Sequence, residues 1–328
     1  MTEKQRDFRL LIPVYAIFLL IYAGACIIQP TFFTWGNNVN LFTRITPLVI
    51  VGIAQTYVIL TGGIDLSIGS IIGLTCAIAV SLPFVDKPTN IILWLLVPVL
   101  IGLLIGLING LIITRGGFPP LIVTLATSQI ISGITLFILP NPGGKISTGV
   151  TNGVTGMLFD TIPIPLMIVI VFLVFFYFIL KYSSFGRSIY AVGGNETIAE
   201  ESGIFPSNIK VWVYGISGLL AGFVGIYLSA MMNSGDPLVG NPYTLNSIAV
   251  AVIGGTSLVG GVGGILGIIG AAYIYQLLNN ILNLLAISTF YQYVVKGLVL
   301  IIALSFTSSG ADIRIKDIFR KKQAKEKI

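Results

Sequence analysis

Residues able to do acid–base or nucleophilic chemistry are scarce in this chain. It has no histidine, which removes histidine-activated nucleophiles, histidine metal sites and histidine proton relays together. Its two cysteines, Cys26 and Cys76, stand singly in apolar segments and form neither a metal spacing nor a disulfide framework. Serines are plentiful but lack a base. Gly193-Gly194-Asn195-Glu196 does not match a phosphate-cradling loop. Within apolar segments the ionisable side chains are Asp65 and Lys296, both near segment ends. An ion-coupled carrier normally carries several ionisable groups inside its spans. The pattern therefore points to a conduit without catalytic residues, metal or cofactor, whose energy source lies elsewhere. The stretch with most chemistry is Thr61-Gly62-Gly63-Ile64-Asp65-Leu66-Ser67-Ile68-Gly69-Ser70. Two readings fit it: a plain turn in which Asp65 caps the next helix, or a broken helix beside a transport path. Both can hold at once.

The elements that position these residues follow from composition. Of 328 residues, 55% are hydrophobic and 9% charged, against about 25% charged in a soluble domain. Long continuous apolar runs define an all-α, polytopic membrane protein and disfavour a β-barrel, whose strands alternate. The net charge of +6 does not imply nucleic-acid binding; in a membrane protein its distribution carries the information.

In order, the chain predicts about ten transmembrane helices forming one permease domain, 1–328, with two broken segments. Leu10–Ile28 is the first span; a signal peptide is the rival reading, since Ala23-Gly24-Ala25 resembles a cleavage site. Gln29–Thr43 reads as a polar interfacial loop. Ile45–Leu60 gives 16 residues, about 24 Å of helix and too short for a core of ~30 Å. Ile68–Leu82 and Ile91–Ile113 follow, the latter carrying Gly102, Gly106 and Gly110 as a close-packing stripe. Leu121–Leu139 is the fifth segment, Pro140–Pro163 a long loop, and Ile164–Leu180 the sixth. Residues 181–210 form the long mid-chain polar stretch, in which Asn195 caps a short helix to about Ser202 and Gly203 ends it. Val211–Met231 is the seventh segment. Leu245–Ile253 is only nine residues, about 14 Å of helix, and is broken by Gly254–Gly261. Ile265–Leu285 and Tyr291–Phe306 complete the spans before a basic tail, 307–328.

With ten crossings, one side receives Lys4, Arg6 and Arg9, Arg115, three basic residues of 181–210 and seven of the tail, 14 of the 18 Lys and Arg. The positive-inside rule makes that side cytoplasmic, with both termini and the 181–210 loop. Parity then requires the eighth, broken stretch to cross, as two half-helices or one distorted helix. Gly62-Gly63-Ile64-Asp65-Leu66 and Gly254-Gly255-Thr256-Ser257-Leu258 share GGxxL, a pairing of interrupted segments found in transporters and also expected by coincidence in a glycine-rich chain.

Four stretches carry a resemblance: TGGIDLSIGS, GRSIYAVGGNETIAEESGI, IAVAVIGGTSLVGGVGG, and LNNILNLLAIS followed by TFYQYVVKGLVLIIAL. In this order, from about Phe32 to Leu304, they resemble permease subunits of ribose-type, carbohydrate-importing ABC transporters in the plasma (inner) membrane. The resemblance implies a second permease, two cytoplasmic ATP-binding subunits and an external sugar-binding protein. It also makes Gly194, Asn195, Glu196, Ala199, Ser202 and Gly203 the element that docks on the ATPase. One departure stands out. Many members carry acids in a pattern like ELDAIA before GGTSL; here Thr244-Leu245-Asn246-Ser247-Ile248-Ala249 is neutral. Asn246, Ser247, Thr256 and Ser257 then suit a path for a neutral polyol, beside Asp65 and Ser67. An ion-coupled secondary carrier of a small polar solute is the alternative.

Overall fold

The computed structural model describes residues 3–28, 30–81 and 91–288, with 290–292, 294, 295, 297 and 298 beyond them. The stretch 82–90 between the third and fourth segments, Lys296, most of the Tyr291–Phe306 segment and the 307–328 tail lie outside the described residues. The chain falls into two units, Met1–Leu277 and Leu278–Ile328. In the second, Gln292 Nε2 donates to the Ile287 carbonyl (3.0 Å) and to Asn283 Oδ1 (2.8 Å).

Helices α1 (Glu3–Ile28), α2 (Trp35–Leu60), α3 (Ile68–Ser81), α4 (Ile91–Gly116) and α5 (Pro120–Ile138) occupy the first half. After them come α6 (Thr148–Thr155), a two-residue-per-strand hairpin with β1 (Met157–Leu158) antiparallel to β2 (Ile162–Pro163), and α7 (Ile164–Tyr182). Next are α8 (Ser184–Gly194), α9 (Glu196–Glu201), α10 (Pro206–Met232), α11 (Asn241–Ile253) and α12 (Leu266–Leu284). Helices α2, α4, α5, α7 and α10 are each long and apolar enough to cross a membrane.

Helix α2 starts earlier than its apolar run predicts. It has 26 residues, about 39 Å, so it spans without help from the glycine stretch. Residues 35–43 are its first turns rather than a loop. Their polar side chains belong to the helix start: Thr34 caps it, and Asn38 Nδ2 bonds the Thr34 carbonyl at 2.9 Å. Polar residues at a helix N-terminus satisfy donors that the helix itself leaves open. The 140–163 loop likewise holds α6 and the hairpin.

Burial sorts the helices. Most of α2 and α10 is enclosed, with Val49, Ile50, Ile53, Tyr57, Leu220 and Val224 among residues with no exposed surface. Helices α4, α5 and α7 bury one stripe and expose apolar side chains such as Leu104, Ile130 and Phe175. In water that outer surface would be a liability; in a bilayer it is the expected lipid or partner face. The glycine stripe of α4 packs as anticipated. An added Cβ at Gly102 would overlap the Gly218 carbonyl, one at Gly106 the Tyr214 carbonyl, and one at Gly110 would lie 2.6 Å from Val211 Cα. Backbones therefore touch along the whole α4–α10 seam.

The eighth segment is broken as expected: α11 ends at Ile253 and residues 254–265 are non-helical. Its lead-in, residues 235–240, lies unwound along α3. Gly235 packs on Val80, and Gly73 and Gly69 make room for the carbonyls of Pro237 and Gly240.

Candidate functional site

Chain reversal after α2 follows from one glycine. Gly62 takes φ +78°, its N–H bonds the Ile59 carbonyl (2.9 Å), and the Gly63 N–H bonds that of Val58 (3.1 Å). This pair of bonds around a left-handed glycine is a Schellman close. The second break repeats it with Gly255 at φ +95° and the Thr256 N–H on the Ala251 carbonyl (3.0 Å). The two GGxxL stretches thus end their helices alike, but with the left-handed glycine first in one pair and second in the other.

Past Gly63, side chains from four helices clasp the chain. Asp65 is wholly buried. Its Oδ1 accepts from the Ser67 N–H (2.9 Å) and hydroxyl (2.6 Å), and its Oδ2 from the Ser217 hydroxyl of α10 (2.7 Å). Gln55 of α2, with its amide turned to suit both partners, donates to the Asp65 carbonyl (3.2 Å) and accepts from its N–H (3.3 Å). The Ile64 carbonyl accepts from Thr124 of α5 (3.3 Å) and Tyr214 of α10 (3.5 Å). Asn109 of α4 donates to the Ser67 hydroxyl (3.0 Å) and accepts from Thr127 of α5 (2.7 Å). Non-helical backbone at membrane depth needs such partners, since lipid supplies none. Asp65 thus closes a turn that leads into α3, whose first residue is Ile68, and in this conformation both it and Ser67 face protein on every side. The sequence reading passed over Gln55, Asn109, Thr124, Ser217 and Tyr214. Their signal was available: amide and hydroxyl side chains inside apolar spans.

The other pathway candidates stand apart on α11 and its break. Asn246 accepts from the Tyr275 hydroxyl (2.5 Å). Ser247 is buried and donates to the Thr244 carbonyl one turn back (2.9 Å). Thr256 is buried, and its hydroxyl has no hydrogen-bond partner among the described residues. Ser257 is half-buried; its N–H bonds the Val262 carbonyl (2.9 Å) and its hydroxyl accepts from the Val259 N–H (3.4 Å).

Between α7 and α10 the structure has two short helices where the sequence predicts one. The predicted one is α9. Asn195 Oδ1 accepts from the Ile198 N–H (3.1 Å), and Gly203, at φ +81°, closes the helix with the Ile204 N–H on the Ala199 carbonyl (3.1 Å). Glu196 pairs with Lys210 of α10 at 2.5 Å, pinning the start of α9 to the next helix. Gly194, Asn195, Glu196, Ser202 and Gly203 are exposed, whereas Ala199 is buried and seats the helix from beneath. Ile198 and Phe205, 60% and 71% exposed, add an apolar surface that the motif alone did not single out. The unforeseen helix is α8, capped by Ser183, whose hydroxyl accepts from the Gly186 N–H (3.0 Å).

Among the described residues no group of histidine, cysteine or carboxylate side chains could hold a metal. A multi-pass helical protein with a clasped break in its core and a capped short helix between spans has the build of a transport permease. The chain belongs to the family described as the branched-chain amino acid transport system/permease component, matched over residues 37–304, and is a permease subunit of an ABC import system. Ribose import permease protein RbsC of Haemophilus influenzae is 38% identical over 309 residues, covering 92% of this chain and 91% of its own. L-arabinose ABC transporter permease protein AraH of Azospirillum brasilense is 32% identical over 89% of this chain and 86% of its own. For D-allose transport system permease protein AlsC of Escherichia coli the figures are 32%, 92% and 94%. No solved structure matches. The ion-coupled alternative finds no support among these relatives.

Proposed function

We propose that the chain carries a neutral monosaccharide, a pentose or hexose of the ribose, arabinose or allose kind, across the membrane. The observation that carries this reading is the near full-length likeness to permeases named for those three sugars. The neutral character of Asn246, Ser247, Thr256 and Ser257 suits a polyol, which asks for hydroxyl and amide partners rather than charge. In this account these four flank the path, while Asp65 and Ser67 hold its wall in shape. The chain pairs with a second permease copy or paralogue and receives sugar from an extracytoplasmic binding protein. Both termini and the 181–210 loop face the cytoplasm. There α9 docks on an ATP-binding-cassette subunit, which hydrolyses the ATP. Closure of the two ATPases moves α9, and the path between the permeases switches sides, so ATP acts by shifting a two-state equilibrium.

The test is uptake of labelled ribose, arabinose and allose by proteoliposomes holding the chain with its ATPase and binding protein. Accumulation of at least one of them on ATP addition supports the reading. Transport of a branched-chain amino acid with none of the three sugars refutes it.

A further inference from the structure

Three glycine-bearing stretches, remote in sequence, meet backbone to backbone. The last turn of α8 brings Gly193 against the end of α2 and against residues 260–263 of the second break. A Cβ at Gly193 would overlap the Leu60 carbonyl oxygen and the Gly261 nitrogen. One at Gly260 would come within 3.0 Å of the Gly193 oxygen and 3.1 Å of the Gly62 nitrogen, and one at Gly261 within 2.8 Å of the Gly194 nitrogen. Across this point the Gly261 N–H donates to the Leu60 carbonyl (2.9 Å), satisfying one of the acceptors that a helix end leaves open. One turn earlier on α8, the Tyr190 hydroxyl donates to the Gly263 carbonyl (2.8 Å). Residues three apart share a helix face, so α8 grips 260–263 at two points on one side.

We propose that Gly193, with Gly260, Gly261 and Tyr190, is the joint that passes movement of the α8–α9 loop to the ends of α2 and α11. The proposal rests on reading α9 as the ATPase-docking element, and it adds the positioning residues that make docking effective. A contact between side chains can absorb a small shift by changing rotamers. A contact between backbones has no such freedom, and close-packed matter transmits displacement. The joint also connects both Schellman-closed breaks to one short helix, so a single push reaches both halves of the chain.

The test uses the complete transporter in proteoliposomes. Gly193→Ala wedges the joint; Tyr190→Phe removes one hydroxyl and adds no bulk. With the ATPase still bound and basal hydrolysis unchanged, the expected result is a fall in sugar carried per ATP hydrolysed, about tenfold for Gly193→Ala and about fivefold for Tyr190→Phe. Gly24→Ala, at a glycine with open space around it, keeps the ratio. If Gly193→Ala does not assemble, Tyr190→Phe alone decides. A wild-type ratio in Tyr190→Phe, or in an assembled Gly193→Ala, overturns the joint. Gly203→Ala separates this from failure of the docking reading: ATPase binding unaffected by that change refutes docking through α9, whatever the joint variants do.

Discussion

Asp65 accepts three hydrogen bonds with no solvent in reach. Asp65→Asn keeps the oxygen that Ser67 uses, and the Ser217 hydroxyl can turn to accept from the new amide. That variant should stay within about 1 kcal/mol of wild type. Asp65→Ala strands three donors and should lose on the order of 2–5 kcal/mol. Melting in detergent checks both; equal losses would contradict the clasp. At α9, Asn195→Ala removes the cap, and Gly203→Ala places a side chain at φ +81°. Each should weaken that helix by about 1 kcal/mol and lower ATPase retention on the purified transporter while leaving membrane insertion intact. The cap and the stop were legible in the sequence because they are local, set within a few residues. That Asp65 stands in a turn before α3 was legible; its place in a clasp was not. Ser217 lies 152 positions away, and a single sequence gives no measure of such a separation.

Elements were read well where apolar runs were long and badly where polar residues sat at their ends. The start of α2 looked like a loop because Asn37, Asn38 and Asn40 are polar, yet polar side chains are what an N-terminal turn requires. The lead-in to α11 was invisible for a different reason. Residues 235–240 can lie along α3 only because Gly69 and Gly73 open a channel for them, a fact about two segments at once. The α4 stripe, by contrast, repeats every four residues within one helix and could be read directly. Its partner was the missing part: Gly218 and Gly222 of α10 complete the seam. Gly106→Val would drive a branched side chain into the Tyr214 backbone and should destabilise the helix pair by about 1–3 kcal/mol. Gly133→Val, at a glycine with open space around it, should be nearly silent in the same thermal-shift measurement.

For the molecule as a whole, the absence of histidine and the rarity of charge pointed to a conduit, and the family match makes the chain a transport subunit. In the proposed topology, the sided distribution of Lys and Arg puts α9 on the cytoplasmic side. The central claim is that this chain is a gate worked from outside itself. The direct measurement is sugar flux into liposomes containing the purified chain alone, and then with ATPase, binding protein and ATP. The account predicts no concentrative uptake by the chain alone under a proton or sodium gradient, and accumulation once the partners and ATP are supplied. Gradient-driven accumulation by the isolated chain would contradict it.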